Sequence, residues 1–397
     1  MVKKRWFPNY HIMVKPTGPI CNLKCEYCYY LHKRRFYPDS MFQMKNKVLE
    51  KFMKEYLTAQ SGEEVTIGWQ GGEPLLRGID FYKKAVEYQE KYKKPDQKVV
   101  NAFQTNGTLL TDEWAEFLHE NKFLIGISID GPEQIHNIYR HDKKGNDTFD
   151  KVLHGLKLLQ KHKVEYNILT TVHKGNVDHP LEVYRYFRDE LKAEFMQFIP
   201  IVEHARDIKI PKGKIVSDRT VPAKKYGEFL TAIFMEWVRN DVGKVFVQHF
   251  DVTLGSWMGV QGGLCVFQPT CGFALVLEHN GDLYSCDHFV YPENKLGNIK
   301  RKPLDEMVNS GKQFTFGHNK LKKLPQYCVD CEFRFACHGG CPKNRIIYTH
   351  NGELGLNYLC KGYKHFFKTT APYFKKMGEF LREGKLAMEI MKEFEGK

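Results

Sequence analysis

The chain has 397 residues, 42% hydrophobic and 14% aromatic, with 11 cysteines and a formal net charge of +13. That length suits two domains or one large α/β domain with an extension, and the composition excludes a disordered chain. No stretch reaches the roughly 18 consecutive apolar residues of a membrane span.

The amino-terminal MVKKRWFPNYHIMVKP has no apolar core of signal-peptide length. A cytoplasmic location is therefore expected, with no membrane partner, where thiols stay reduced and clustered cysteines bind metal or do chemistry. The charge alone would suit nucleic acid. The lysines, however, form no tract of five or more and read as solvated faces such as Lys91, Lys93 and Lys94, so no nucleic-acid partner is expected.

Six short apolar runs lie at residues 12–14, 65–69, 99–103, 124–129, 166–172 and 195–202. Between them fall helical patterns at 45–59, 80–92, 112–120, 149–162 and 180–191. This alternation predicts parallel strands joined by right-handed crossovers. Six strands are too few to close an eight-stranded barrel, so the expected fold class is α/β, a partial (β/α)6 TIM-like barrel.

Residues 203–222 are polar, include Pro211, Gly213 and Pro222, and read as a long loop before a helix at 223–240. From Gly262 onward glycine, aromatics and eight cysteines dominate. Residues 273–277 and 283–286, around Asn280-Gly281, read as a hairpin. The rest is expected to be loop-rich and organised by metal, ahead of a helical tail at 366–394. The expected division is a barrel over 1–240 and a cysteine-rich domain over 241–397.

Cys21, Cys25 and Cys28 stand in CNLKCEYC, directly after the first predicted strand. Three thiolates so close can wrap one metal centre. A zinc site normally closes with four ligands, and His32 could be the fourth. Three ligands with one open position equally suit a cluster that binds a substrate. Cys265, Cys271, Cys286, Cys328, Cys331, Cys337, Cys341 and Cys360 imply two four-ligand centres. Counting does not separate two zinc ions from two iron–sulfur clusters. The ends of predicted strands two to four carry Gln70-Gly71-Gly72-Glu73-Pro74, Gln104-Thr105-Asn106-Gly107 and Ser128-Ile129-Asp130-Gly131-Pro132. Polar groups and glycines thus gather where barrel sites form.

The CxxxCxxC spacing, with an aromatic before the last cysteine, resembles the signature of radical S-adenosylmethionine (SAM) enzymes. The resemblance implies a 4Fe–4S cluster with one iron left for the cofactor, which is cleaved to methionine and a 5′-deoxyadenosyl radical. It also implies that GGEP lies at the methionyl amino group and that Tyr27, Gly72, Ser128, Arg140 and Met196 contact the cofactor.

The later cysteines resemble the SPASM domain. That resemblance assigns Cys265, Cys271, Cys286 and Cys341 to one auxiliary 4Fe–4S cluster and Cys328, Cys331, Cys337 and Cys360 to another. Three clusters then account for all the cysteines as three, four and four. The fully ligated pair would relay electrons or staple the fold.

Over nearly its full length the chain resembles the anaerobic sulfatase-maturating enzymes, through CNLKCEYCYY, QGGEP, QTNGTL, FLIGISIDGP, IHNIYR, FMQFI and Cys286-Asp287. This implies oxidation of a Ser or Cys in a sulfatase polypeptide, within C/S-x-P/A-x-R, to Cα-formylglycine. A low-potential reductant such as flavodoxin or ferredoxin would be a second partner. The resemblance makes Asp287 the acceptor of the substrate proton, after a hydrogen atom leaves Cβ and before an electron passes to an auxiliary cluster. It places Tyr30 and Gln70 near the peptide.

A carboxylate beside an anionic cluster is expected to have a raised pKa. A rival reading is a SPASM-type maturase forming thioether or carbon–carbon links in a small ribosomal peptide, from which Asp287 and the QGGEP context separate it. A remoter one is a zinc-stapled nucleic-acid module, which metal analysis would separate. The basic stretch 204–220 reads as a surface insertion near the substrate opening.

Overall fold

The computed structural model describes residues 5–7, 9–38, 40–206, 208–210, 212–261 and 263–395; Pro211 and Gly262, singled out above, lie outside the described residues. The strands that organise it are β1 (His11–Lys15), β2 (Glu64–Trp69), β3 (Lys98–Thr105), β4 (Leu124–Ser128), β5 (Tyr166–Val172) and β6 (Phe195–Pro200). They are followed by β7 (Phe246–Val247), β8 (Ala274–Glu278), β9 (Asp282–Tyr284) and β10 (Lys295–Asn298). The six predicted strands are β1 to β6, and the class is mixed α/β with parallel pairing, as expected.

The chain divides into two compact units. The first comprises Met1–Ser128, Tyr139–Tyr166 and Cys271–Asn319; the second comprises Ile129–Ile138, Asn167–Thr270 and Lys320–Lys397.

In the first unit the strand order is β10-β9-β8-β1-β2-β3-β4. Strands β1 to β4 run parallel, β8 runs parallel to β1, and β9 is antiparallel to β8 and β10. Alternation sets the faces: Val65, Ile67 and Trp69 of β2 are buried and its intervening residues are not. The helix Asn46–Ala59 buries Val48, Leu49, Phe52, Met53, Tyr56 and Leu57, one stripe at helical spacing. The helix Asp112–Glu120 starts where the Thr111 hydroxyl accepts from Trp114 N. Parallel pairing leaves Lys15, Trp69, Thr105 and Ser128 at the same edge of the sheet. The motif-bearing loops therefore leave the sheet side by side.

The second unit contains β5, β6 and β7 in parallel order. Its core is aromatic: Phe234, Trp237, Phe250, Phe366 and Phe374 pack ring on ring. The helices Ala223–Asn240 and Cys360–Arg382 touch through Gly227 and Gly362, where an added Cβ would fall 2.3 and 2.1 Å from backbone oxygens. Only hydrogen at those positions lets the helix that begins with Cys360 come so close.

Several elements differ from expectation. The predicted helix at 180–191 is an α-helix over Pro180–Arg185 that loosens into a π turn over Tyr186–Glu190. The tail helix begins at Cys360, ahead of the predicted start, and ends at Arg382. Residues 241–397 are more helical than expected, with Gln248–Trp257 and Gly311–Lys322 among the added helices. The expected hairpin exists as β8 and β9, with Gly281 at a positive φ of 90° in the turn. Its pairing with β1 was not legible locally, and it joins residues 271–319 to the first unit.

Candidate active site

Strand β1 ends at Lys15 and runs directly into the loop of Cys21, Cys25 and Cys28. That loop is zipped to residues 139–142: Lys24 N donates to His141 O at 2.8 Å and Glu26 N to Tyr139 O at 3.0 Å. The pairing brings the buried Arg140 guanidinium to 5.5 Å from the Tyr27 ring centre, a cation over an aromatic face.

The sulfurs face donors. Leu23 N lies 3.3 Å from the Cys21 sulfur and Asn106 Nδ2 lies 3.6 Å from it. The backbone N–H groups of Leu31 and Tyr30 point at Cys28. Burial pushes both thiols up; the Glu73 charge adds to this at Cys21, while Arg140 and Lys15 oppose it at Cys28. Thiolates so buried persist against a positive centre, and the N–H groups suit a cluster's sulfurs. The donor set fits a cluster.

The QGGEP segment lies against the approach to this loop. Gly72 N donates to Gly18 O at 2.7 Å and Glu73 N to Ile20 O at 2.8 Å. A Cβ on Gly72 would fall 2.1 Å from the Ile20 oxygen, so no larger residue fits this backbone approach. The fully buried Glu73 carboxylate accepts from Leu75 N, Thr105 Oγ1 and Asn106 N at 2.8–3.0 Å. Burial pushes it up to about 7 against the pull of those three donors. Asn106 in turn donates to Asn22, and Asn22 to Thr108. Gln104 donates to the Ser128 hydroxyl at 3.0 Å. Tyr27, Gly72, Ser128 and Arg140 thus all lie in the first unit. Met196 lies in the second, buried on β6 opposite Ile168.

Asp287 opens a short turn directly after Cys286. The Lys15 ammonium lies 2.7 Å from its Oδ1, and the Tyr29 hydroxyl donates to Oδ2. Lys15 is itself buried, donates to Gln70 Oε1 at 2.8 Å, and sits 4.2 Å from the Tyr30 ring centre. Tyr30 is buried and its hydroxyl donates to Glu278.

The protein's own groups act on the Asp287 carboxyl in both directions. Burial pushes the carboxyl up, but the Lys15 charge, His288, and hydrogen bonds from Lys15 and Tyr29 outweigh it and hold the group below its ordinary value.

None of the eleven cysteines forms a disulfide. In the second unit Cys328, Cys331, Cys337 and Cys360 line one cavity with Phe333, Tyr363 and Phe367. Burial pushes Cys337 up to about 12 and Cys360 to about 11, with neighbouring thiols adding to both shifts. The four thiols surround a space, which suits a cluster with one thiolate per corner.

The other four cysteines fall two to each unit. In the first, Gln313 donates to Gly272 O and Ser285 O, beside Cys271 and Cys286. In the second, buried Lys320 donates to Cys265 O, while Arg345 donates to Gly339 O and Asn357 to Cys341 O.

Two family models match the chain: the radical SAM superfamily over residues 16–187 and the SPASM iron–sulfur cluster-binding domain over 265–332. The serine-type anaerobic sulfatase-maturating enzyme of Bacteroides thetaiotaomicron is 47% identical over 392 residues, 96% of this chain and 94% of that protein. The chain belongs to the anaerobic sulfatase-maturating enzymes.

The cysteine-type enzyme of Clostridium perfringens is 35% identical over 92% of this chain and 97% of its own length. A solved structure of native anSMEcpe with bound AdoMet and Cp18Cys peptide matches with a TM-score of 0.83 at 34% identity, covering 94% of this chain and 99% of that one. As a radical SAM enzyme with a SPASM domain, this family member is an oxidoreductase with 4Fe–4S clusters and SAM as cofactors.

Reading the sequence missed Lys15, Gln313, Lys320 and Arg345. Each is a polar side chain that holds a functional loop from a distant part of the chain. A lysine ending the apolar run HIMVK was the one local signal.

Proposed function

We propose that this enzyme matures sulfatases by oxidising a Ser or Cys within C/S-x-P/A-x-R of the substrate polypeptide to Cα-formylglycine. The Asp287 carboxylate, next to a cluster ligand and held by Lys15 and Tyr29, carries the reading. When bound, the clusters and SAM supply the radical that takes a hydrogen atom from Cβ and the relay that takes the remaining electron.

Cys21, Cys25 and Cys28 hold the cluster that cleaves the cofactor, and Tyr27, Gly72, Ser128, Arg140 and Met196 hold the cofactor itself. Cys265, Cys271, Cys286 and Cys341 hold the first auxiliary cluster, and Cys328, Cys331, Cys337 and Cys360 the second. Residues 1–240 thus serve the cofactor and 241–397 the auxiliary clusters. Asp287 takes the proton from the substrate hydroxyl or thiol, while Gln70 and Tyr30 line the peptide's approach. A serine loses one hydrogen atom, one proton and one electron and becomes the aldehyde. A cysteine becomes a thioaldehyde, which water hydrolyses.

Serine is the substrate we favour, because the 47%-identical relative is a serine-type enzyme. The reaction takes place in the cytoplasm, with a low-potential carrier of the flavodoxin or ferredoxin kind as reductant. Among the described residues no helix is long and apolar enough to cross a membrane.

The test is anaerobic incubation of the reconstituted enzyme with SAM, reductant and paired Ser and Cys peptides. Product with the mass of formylglycine from the Ser peptide supports the proposal. Cofactor cleavage without that product from either peptide overturns it.

A further inference from the structure

Lys15 is the last residue of β1, and 1% of its side chain is exposed. An ammonium out of water is costly unless paired and hydrogen-bonded. The fold supplies those partners from three separate segments: Asp287 from the turn after β9, Gln70 from the loop after β2, and the Tyr30 ring from the cysteine loop. Each arrives because β1 lies between β2 and β8. Val14 pairs with Trp69, which precedes Gln70, and Lys15 pairs with Glu278.

Glu278 is the carboxylate nearest in register, yet the Tyr30 hydroxyl and His279 engage it. The ammonium turns instead to Asp287 and Gln70. A buried ion pair is a poor way to gain stability when apolar side chains of similar volume would serve. What this pair achieves is geometric. With Oδ1 held by Lys15 and Oδ2 by Tyr29, the Asp287 carboxylate has one orientation. With its oxygen held by the same ammonium, the Gln70 amide turns its NH2 elsewhere.

We infer that Lys15 is the positioning residue of the oxidation, fixing the Asp287 carboxylate and the Gln70 amide relative to one another on a single ammonium. The inference rests on the reading of Asp287 as the proton acceptor. Lys15 acts through the two groups it holds.

The experiment uses the cluster-loaded enzyme and the variants Lys15→Met, Lys15→Arg, Asp287→Asn and the double variant Lys15→Met/Asp287→Asn. Iron and sulfide content, cluster spectra, peptide affinity by fluorescence anisotropy, and formylglycine formed per 5′-deoxyadenosine are measured for each. Lys15→Met is expected to keep its clusters and its cofactor cleavage while product per 5′-deoxyadenosine falls about 100-fold. Peptide affinity should weaken several-fold. Lys15→Arg should recover part of the coupling. In the double variant the loss should not exceed that of Asp287→Asn alone, as expected of residues acting as a unit.

Wild-type coupling in Lys15→Met, or losses that multiply in the double variant, would overturn the inference. If Lys15→Met loses its clusters, Lys15→Arg decides: full clusters with intermediate coupling support positioning, and wild-type coupling refutes it. Wild-type coupling in Asp287→Asn would instead remove the proton-acceptor reading itself.

Discussion

The two cysteine sites that each lie within one unit differ in the number of thiols they gather and in what surrounds them. In the first unit the sulfurs of Cys21 and Cys28 meet backbone N–H groups, and Asn106 and Arg140 stand close by. In the second unit Cys328, Cys331, Cys337 and Cys360 meet aromatic rings and one another, with the Gly339 N–H at Cys337 and the Arg345 and Lys364 charges near Cys328. A three-thiol centre ringed by polar groups leaves a coordination position for a polar ligand. A four-thiol centre in an apolar pocket leaves none, and its binding energy goes into holding the chain. On the proposed assignment, cysteine number and surroundings together separate a reacting cluster from a supporting one.

The sharpest way to break this comparison is to remove thiols on each side. Replacing Cys21, Cys25 and Cys28 by Ala should abolish reductive cleavage of the cofactor and remove about a third of the iron, with thermal unfolding little changed. Replacing Cys328 and Cys360 by Ala should lower the unfolding midpoint by about 10 °C or more. Equal thermal effects on the two sides would erase the distinction.

Next in size is Asp287→Asn. Formylglycine formation should fall by about 100-fold or more, while 5′-deoxyadenosine release falls far less. Parallel loss of both, followed by chromatography of the same reactions, would count against the base assignment. Gly72→Ala should then weaken SAM binding about tenfold and destabilise the first unit by about 1–3 kcal/mol, because its Cβ meets the Ile20 oxygen. Calorimetric titration and urea unfolding check the two effects.

The most gradual effect concerns acid. His249 is buried among Phe267, Tyr363 and Phe366, and burial holds it neutral, down to about 3. Its folded pKa is below the unfolded value near 6.5, so the unfolded state takes the proton first. The second unit should therefore lose stability as pH falls from about 6.5 toward 3, by up to about 1.4 kcal/mol per pH unit. His249→Phe should flatten that slope in urea unfolding followed over the pH range.

Much of this was legible locally. Alternation within runs such as 65–69 and 99–103 marks β2 and β3, because a strand's two faces follow from neighbouring residues. The cysteine loop at 21–28 was legible because its three cysteines sit within eight residues. Lys15 and Asp287 were not. Their ion pair depends on β8 lying in parallel beside β1, across more than 250 residues of chain. The expectation for Asp287 weighed burial and the cluster alone, because no local pattern could supply the ammonium of Lys15.

The sequence by itself determined the strand–helix alternation, the three-four-four division of cysteines implied by the family resemblance, and the class of chemistry those thiols support. Each depends on residue type and on spacing along a short stretch. Only the tertiary structure decided that residues 271–319 fold with the barrel's first strands, that Glu73 ties QGGEP to QTNG, and that Lys15 stands against Asp287. Those outcomes are sums over neighbours that the chain brings together from afar. A charge inside a protein is set by those neighbours rather than by the residues next to it in sequence.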